Sequence, residues 1–105
     1  MKEITPKELK GMQNNAEDFV LIDVREESEK LVADIGGNLI PLGTLPNNIP
    51  TVPKDRKIIV YCKSGGRSGR ATEYLERVAC FTNVHNLKGG ILAWSDQVDP
   101  SVKKY

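Results

Sequence analysis

The sequence predicts an α/β fold, a parallel sheet covered by helices on both faces. Three observations carry this expectation. Short runs rich in Val, Ile and Leu recur at 19–25, 38–42, 57–62 and 83–87, the pattern of strands buried between two layers. The segments between several of them carry helical periodicity or helix-start signals. The links are short, so strand and helix alternate, as parallel pairing through crossover helices requires. A chain of 105 residues supports one core, so a single domain is expected over residues 1–105.

Each element has a local reason. In "ITPKELKGMQNN", Thr5, Pro6 and Glu8 stand at N-cap, N1 and N3 of a helix. "FVLIDVR" (19–25) is a buried strand, and "EESEKLVADIG" (26–36) a short helix ending at Gly36 and Gly37. "NLIPL" (38–42) is a brief strand. "GTLPNNIPTVPKDR" (43–56) carries three prolines and two asparagines, so it is a loop with at most one helical turn. "KIIVYC" (57–62) is the third strand. Beyond it, Ala71, Tyr74, Leu75, Val78 and Ala79 recur at the spacing of one apolar helix face. "NVHNL" (83–87) is a further strand. In the last helix, "GGILAWSDQV", Ile91, Trp94 and Val98 share a face, and the tail "DPSVKKY" is expected to fray.

Composition excludes several function classes. The net charge of +1 provides no global field for nucleic acid or anionic membrane. No apolar stretch approaches the roughly 20 residues that span a bilayer. "MKEITPKELKGMQ" lacks the apolar core of a signal peptide, so a cytoplasmic location is expected. There Cys62 and Cys80 are free thiols rather than a disulfide. No Cys/His cluster has zinc spacing, since His85 stands alone. Neither a metal nor another cofactor is expected.

The chemistry gathers in "YCKSGGRSGR" (61–70). A strand ends at Cys62, Lys63, Ser64, Gly65 and Gly66 turn, and a helix begins near Arg67. Ligand sites in open parallel sheets lie beyond the carboxyl ends of the strands. Glycines let successive amides converge on one point, and the helix start adds unpaired N–H groups and its positive dipole end. Ser64, Gly65, Gly66 and Arg67 are the expected backbone donors. Arg67 and Lys63 are the expected anion-attracting charges. The focus is the sulfur of Cys62. A free thiol titrates near ~8.5, and such surroundings lower this to roughly 3.5–7.5, which makes a nucleophilic thiolate. Ser64 and Ser68 could donate hydroxyl hydrogen bonds to a bound sulfur, although Ser68 could equally serve as a helix cap. The plain alternative for Cys62 is a buried cysteine beside a packing turn.

"LIDVRE", "IIVYCKSGGRS" and "NLKGGILAW", in this order and spacing, resemble a single-domain rhodanese, and the similarity covers nearly the whole chain. The resemblance implies a rhodanese-like, five-stranded, mostly parallel sheet with helices on both faces. It implies a sulfurtransferase of the thiosulfate type, in which Cys62 takes sulfane sulfur from a small anionic donor and carries it as a persulfide. A thiol or protein acceptor then removes that sulfur. Two departures stand out. Family members often carry a His-Ile-Pro-Gly-Ala-like stretch where this chain has "ADIGGNLIPL", with Asp34 at the histidine's place. They usually have glycine where this chain has Cys80.

Three other functions compete with turnover of thiosulfate. Cysteine phosphatases and arsenate reductases carry Cys-x5-Arg, whereas Cys62 to Arg67 is Cys-x4-Arg and Ser68 occupies the phosphatase arginine's place. Inactive scaffolding relatives usually lose the cysteine, which is present here. A relay handing persulfide to a partner protein is the closest alternative. Asp23 and Arg25 in "DVR" are expected to tie loops together rather than catalyse, and Trp94 is expected in the core.

Overall fold

The computed structural model describes residues 1–105. Its centre is a five-stranded sheet of β1 (Lys2–Ile4), β2 (Phe19–Asp23), β3 (Asn38–Leu39), β4 (Lys57–Tyr61) and β5 (Val84–Leu87), in the order β1-β5-β4-β2-β3. Every pairing is parallel, so the sheet is wholly rather than mostly parallel. The expected four runs all contain strands, shortened to the residues that find partners. The fifth, β1, is a three-residue edge strand paired with β5. It is too short for a periodicity to reveal.

Five α-helices cover the sheet: α1 (Pro6–Asn14), α2 (Glu27–Val32), α3 (Leu45–Asn48), α4 (Gly66–Arg77) and α5 (Gly90–Gln97). At the start of α1, Glu8 N–H donates to Thr5 Oγ1 at 3.1 Å, and Thr5 N–H donates to Glu8 Oε1 at 2.9 Å. These reciprocal bonds satisfy two donors that a helix start otherwise leaves free. On β4, successive side chains point to opposite faces. Ile58, Val60 and Cys62 pack with Leu45, Val52, Ala71 and Leu75. Ile59 and Tyr61 pack with Leu9, Met12, Ile91 and Trp94. The strand's phase thus turns the Cys62 sulfur towards α4 and the Tyr61 ring towards α5.

Four local expectations are corrected. The proline-rich segment holds α3 flanked by 3₁₀ turns at Leu42–Thr44 and Ile49–Thr51, because proline at a helix start suits the helix rather than opposing it. The helix expected over 26–36 stops at Val32 and buries none of its residues; Leu31 is 83% exposed. Val78 is 65% exposed, since α4 ends one residue earlier and its periodicity no longer applies. The tail does not fray. Val102 and Tyr105 pack beside α5, and Ser95 Oγ donates to Val102 O at 2.7 Å.

Candidate active site

Cys62 follows β4 directly, with Gly65 in a left-handed turn (φ 105°) and α4 starting at Gly66. The sulfur accepts hydrogen bonds from Gly65 N–H at 3.2 Å and Ser68 N–H at 3.3 Å, and the Ser68 hydroxyl lies 3.3 Å away. Burial pushes the thiol up. Hydrogen bonding from the Ser68 hydroxyl and from the Ser68, Gly65 and Ser64 backbone outweighs it, and the net shift is downward. A charged sulfur is thereby stabilised by donors rather than by solvent. Cys62 is only 1% exposed, so the sulfur forms the floor of the loop.

The "GG" of the last helix has a clear mechanical role. Ile91 N–H donates to Cys62 O at 2.9 Å, and Leu92 N–H donates to Lys63 O at 3.1 Å. The start of α5 thus holds the first two carbonyls of the loop. The approach demands glycine at position 90, where φ is +62° and a Cβ would lie 2.5 Å from both the Cys62 and Lys63 carbonyl oxygens.

Beneath the loop is a polar network that the sequence did not reveal. Ser68 and Asn86 are buried, and Ser68 Oγ lies 2.5 Å from Asn86 Oδ1. Asn86 Nδ2 donates to Gly65 O at 3.2 Å. A hydroxyl has one proton, so Ser68 donates either to the sulfur or to Asn86. The available signal was an asparagine inside a strand, where that residue is depleted.

Asp23 and Arg25 are fully buried, and their side chains pair through Nε–Oδ1 at 2.9 Å and Nη2–Oδ2 at 2.8 Å. Arg25 Nη1 also donates to Glu29 O at 3.3 Å and to the Tyr105 hydroxyl at 3.1 Å. These bonds tie the end of β2, α2 and the tail together, as expected for a structural pair. Although burial opposes its charge, the bonds to Asp23 and Tyr105 keep Arg25 strongly cationic.

Arg67 is placed differently from the sequence expectation. Its backbone opens α4, but its guanidinium forms a bidentate pair with Glu29, Nη1–Oε1 at 2.5 Å and Nη2–Oε2 at 2.8 Å. Lys63 has no carboxylate partner among the ion pairs; its Nζ lies 4.8 Å from the Tyr105 ring centroid. Gly66 and Arg67 N–H are first-turn donors without an intrahelical acceptor. Ser64 makes no side-chain hydrogen bond, whereas Ser68 contributes both its amide and its hydroxyl at the sulfur. Asp34 accepts from Lys30 Nζ at 2.9 Å and from Gly36 N–H at 2.7 Å, which stabilises the turn before β3. Cys80 is exposed and unbonded, with φ +62°. No helix is long and apolar enough to cross a membrane.

Comparison with known proteins agrees with this architecture. The model of the Rhodanese-like domain family matches residues 5–97. A protein of Allochromatium vinosum named Sulfurtransferase is 35% identical over 96 residues, covering 90% of this chain and 89% of its own. The probable adenylyltransferase/sulfurtransferase MoeZ of Mycobacterium tuberculosis is 35% identical over 105 residues, 97% of this chain; the chain spans 26% of that longer relative. The crystal structure of a rhodanese-like domain protein from Staphylococcus aureus superposes with a TM-score of 0.83 at 31% identity, covering 100% of this chain and 99% of that one. The family and the sulfurtransferase-named relative support sulfur transfer in general. Over residues 5–97, nearly its whole length, the chain belongs to the rhodanese-like domain family.

Proposed function

We propose that the protein is a sulfurtransferase in which Cys62 carries sulfane sulfur as a persulfide. The observation that supports this most directly is the donor set on the sulfur, the Gly65 and Ser68 amides at the start of α4, with the Ser68 hydroxyl, shared with Asn86, 3.3 Å away. Donors aimed at a position where negative charge develops are the main catalytic resource of such a site. With thiosulfate as donor, the Cys62 thiolate attacks the outer sulfur. A new S–S bond forms, the S–S bond of thiosulfate breaks, and its electron pair leaves with sulfite. The negative charge now rests on the outer sulfur of the persulfide. After protonation, an acceptor thiolate attacks that outer sulfur, takes it as a new persulfide and returns Cys62 as thiolate. No electron is lost or gained overall. The same steps accept sulfur from an organic persulfide.

A relay to a protein acceptor is the second reading. It is supported by the match to a segment of MoeZ, whose printed name joins sulfur transfer to adenylyl transfer in one longer chain. Phosphate chemistry is disfavoured by Ser68, a buried neutral residue where Cys-x5-Arg would place a cation.

Intact mass measurement after exposure to thiosulfate tests the proposal. The expected result is one added sulfur atom, removed by cyanide and absent in Cys62→Ser. Transfer retained in that variant would overturn it. Rapid turnover with small thiols supports a free-standing enzyme, whereas stoichiometric loading without turnover supports the relay.

A further inference from the structure

The carboxylate of Glu29 is held by four donors. Oε1 accepts from Arg67 Nη1 at 2.5 Å and from Glu26 N–H at 3.2 Å. Oε2 accepts from Arg67 Nη2 at 2.8 Å and from the Tyr105 hydroxyl at 2.7 Å. A carboxylate has about four lone-pair directions, and all are engaged here. Tyr105 is itself held, because its hydroxyl accepts from the buried Arg25 at 3.1 Å. The carboxylate is therefore fixed from α2, α4 and the tail at once.

This arrangement changes the charge seen by a ligand approaching the loop. Arg67 and Lys63 are its two cations. Both terminal nitrogens of Arg67 are taken by Glu29, and opposite charges in contact largely cancel at a distance. Arg67 directly precedes Ser68, whose amide donates to the Cys62 sulfur, and the Tyr105 ring that packs on Lys63 carries the hydroxyl bound to Glu29, so the cancellation operates beside the loop. Lys63 alone is left without a carboxylate partner. A loop with two free cations suits a dianion such as thiosulfate. A loop with one suits a monoanion, the charge of a simple organic persulfide.

We propose that Glu29, latched by Tyr105, is a specificity-determining residue that cancels Arg67 and biases the site from dianionic towards monoanionic sulfur donors. The proposal rests on sulfur transfer for the choice of substrate but not for the charge assignment. The two can therefore be tested separately.

The charge at Cys62 is read by alkylation with iodoacetate, an anion, and iodoacetamide, its neutral counterpart, with peptide mapping to distinguish Cys80. Taking the ratio of the two rates removes changes in thiolate fraction. Glu29→Gln should raise the iodoacetate-to-iodoacetamide ratio about 3- to 10-fold at low salt, as one unpaired cation is released near the sulfur. Tyr105→Phe keeps the carboxylate but removes one of its donors, and should raise the ratio about 2-fold. Arg67→Ala leaves Glu29 uncompensated and should lower it. With sulfur donors, Glu29→Gln should lower KM for thiosulfate about 10-fold and KM for monoanionic benzenethiosulfonate less than about 3-fold. Unchanged alkylation ratios in folded Glu29→Gln and Tyr105→Phe would overturn the charge assignment. Equal gains with both donors would overturn the selectivity. If the native protein takes sulfur from neither donor, sulfur transfer fails and the selectivity with it, while alkylation still decides whether Glu29 cancels Arg67.

Discussion

The amide of Ile91 donates to the carbonyl oxygen of Cys62 at 2.9 Å, so the first turn of α5 holds the backbone of the proposed nucleophile. The contact exists only because residue 90 has no side chain. In Gly90→Ala, the new Cβ would meet two carbonyl oxygens at 2.5 Å in a left-handed conformation. The expected cost is about 2–4 kcal/mol of stability, together with loss of Cys62 reactivity as the loop shifts. Urea titration and thiol alkylation measure the two effects. Native stability in this variant would mean that the loop tolerates a different path.

Ser68→Ala separates thiolate stabilisation from loop shape. It removes the one hydroxyl proton that the sulfur and Asn86 Oδ1 share, while retaining the Ser68 amide. The Cys62 thiol should titrate higher, and alkylation at neutral pH should slow several-fold. Asn86 Oδ1 loses its partner in the same variant, at about 1–3 kcal/mol. A pH–rate profile with iodoacetamide reads the first effect, and thermal unfolding reads the second.

Glu29 makes a pH signature. The bonds from Arg67 lead the causes that overcome burial and hold its carboxyl near a pKa of about 2, from an ordinary value of 4.5. A folded-state pKa below the unfolded one gives stability that is fully present above the unfolded value and lost as pH falls through the folded value. Native protein should therefore lose this contribution between about pH 4.5 and pH 2. Glu29→Gln lacks it, so the stability difference between the two should shrink across that window. A difference independent of pH would contradict the pairing.

Cys80 stands in a left-handed conformation at φ +62°. Glycine relieves that strain but adds freedom to the unfolded chain. Cys80→Gly should then lie between neutral and about 1 kcal/mol more stable, with Cys62 reactivity unchanged. The twelve residues of α4 run about 18 Å, whereas a disulfide needs Cα atoms within about 7 Å. Peptide mapping after peroxide treatment should find no Cys62–Cys80 bond in the folded monomer.

By itself, the sequence determined whatever depends on neighbours along the chain. Thr5, Pro6 and Glu8 start α1 through contacts within one turn. The apolar run at 57–62 becomes the buried strand whose phase directs Cys62 towards α4. The path from Cys62 through Gly65 to the start of α4 spans only a few residues, so the strand end, the turn and the helix start around the sulfur were legible. Tertiary structure decided which charges and polar groups meet. Arg67 and Glu29 are 38 residues apart, Ser68 and Asn86 are 18 apart, and Tyr105 meets Glu29 across 76. A charged residue on a short exposed helix is ordinarily solvated, so no local pattern marks Glu29 as the partner of Arg67. A tail with little periodicity resembles one that frays. Only the packing of α2, α4 and the tail around the carboxyl ends of the strands gives Glu29 its four donors, because those bonds need all three segments in place at once.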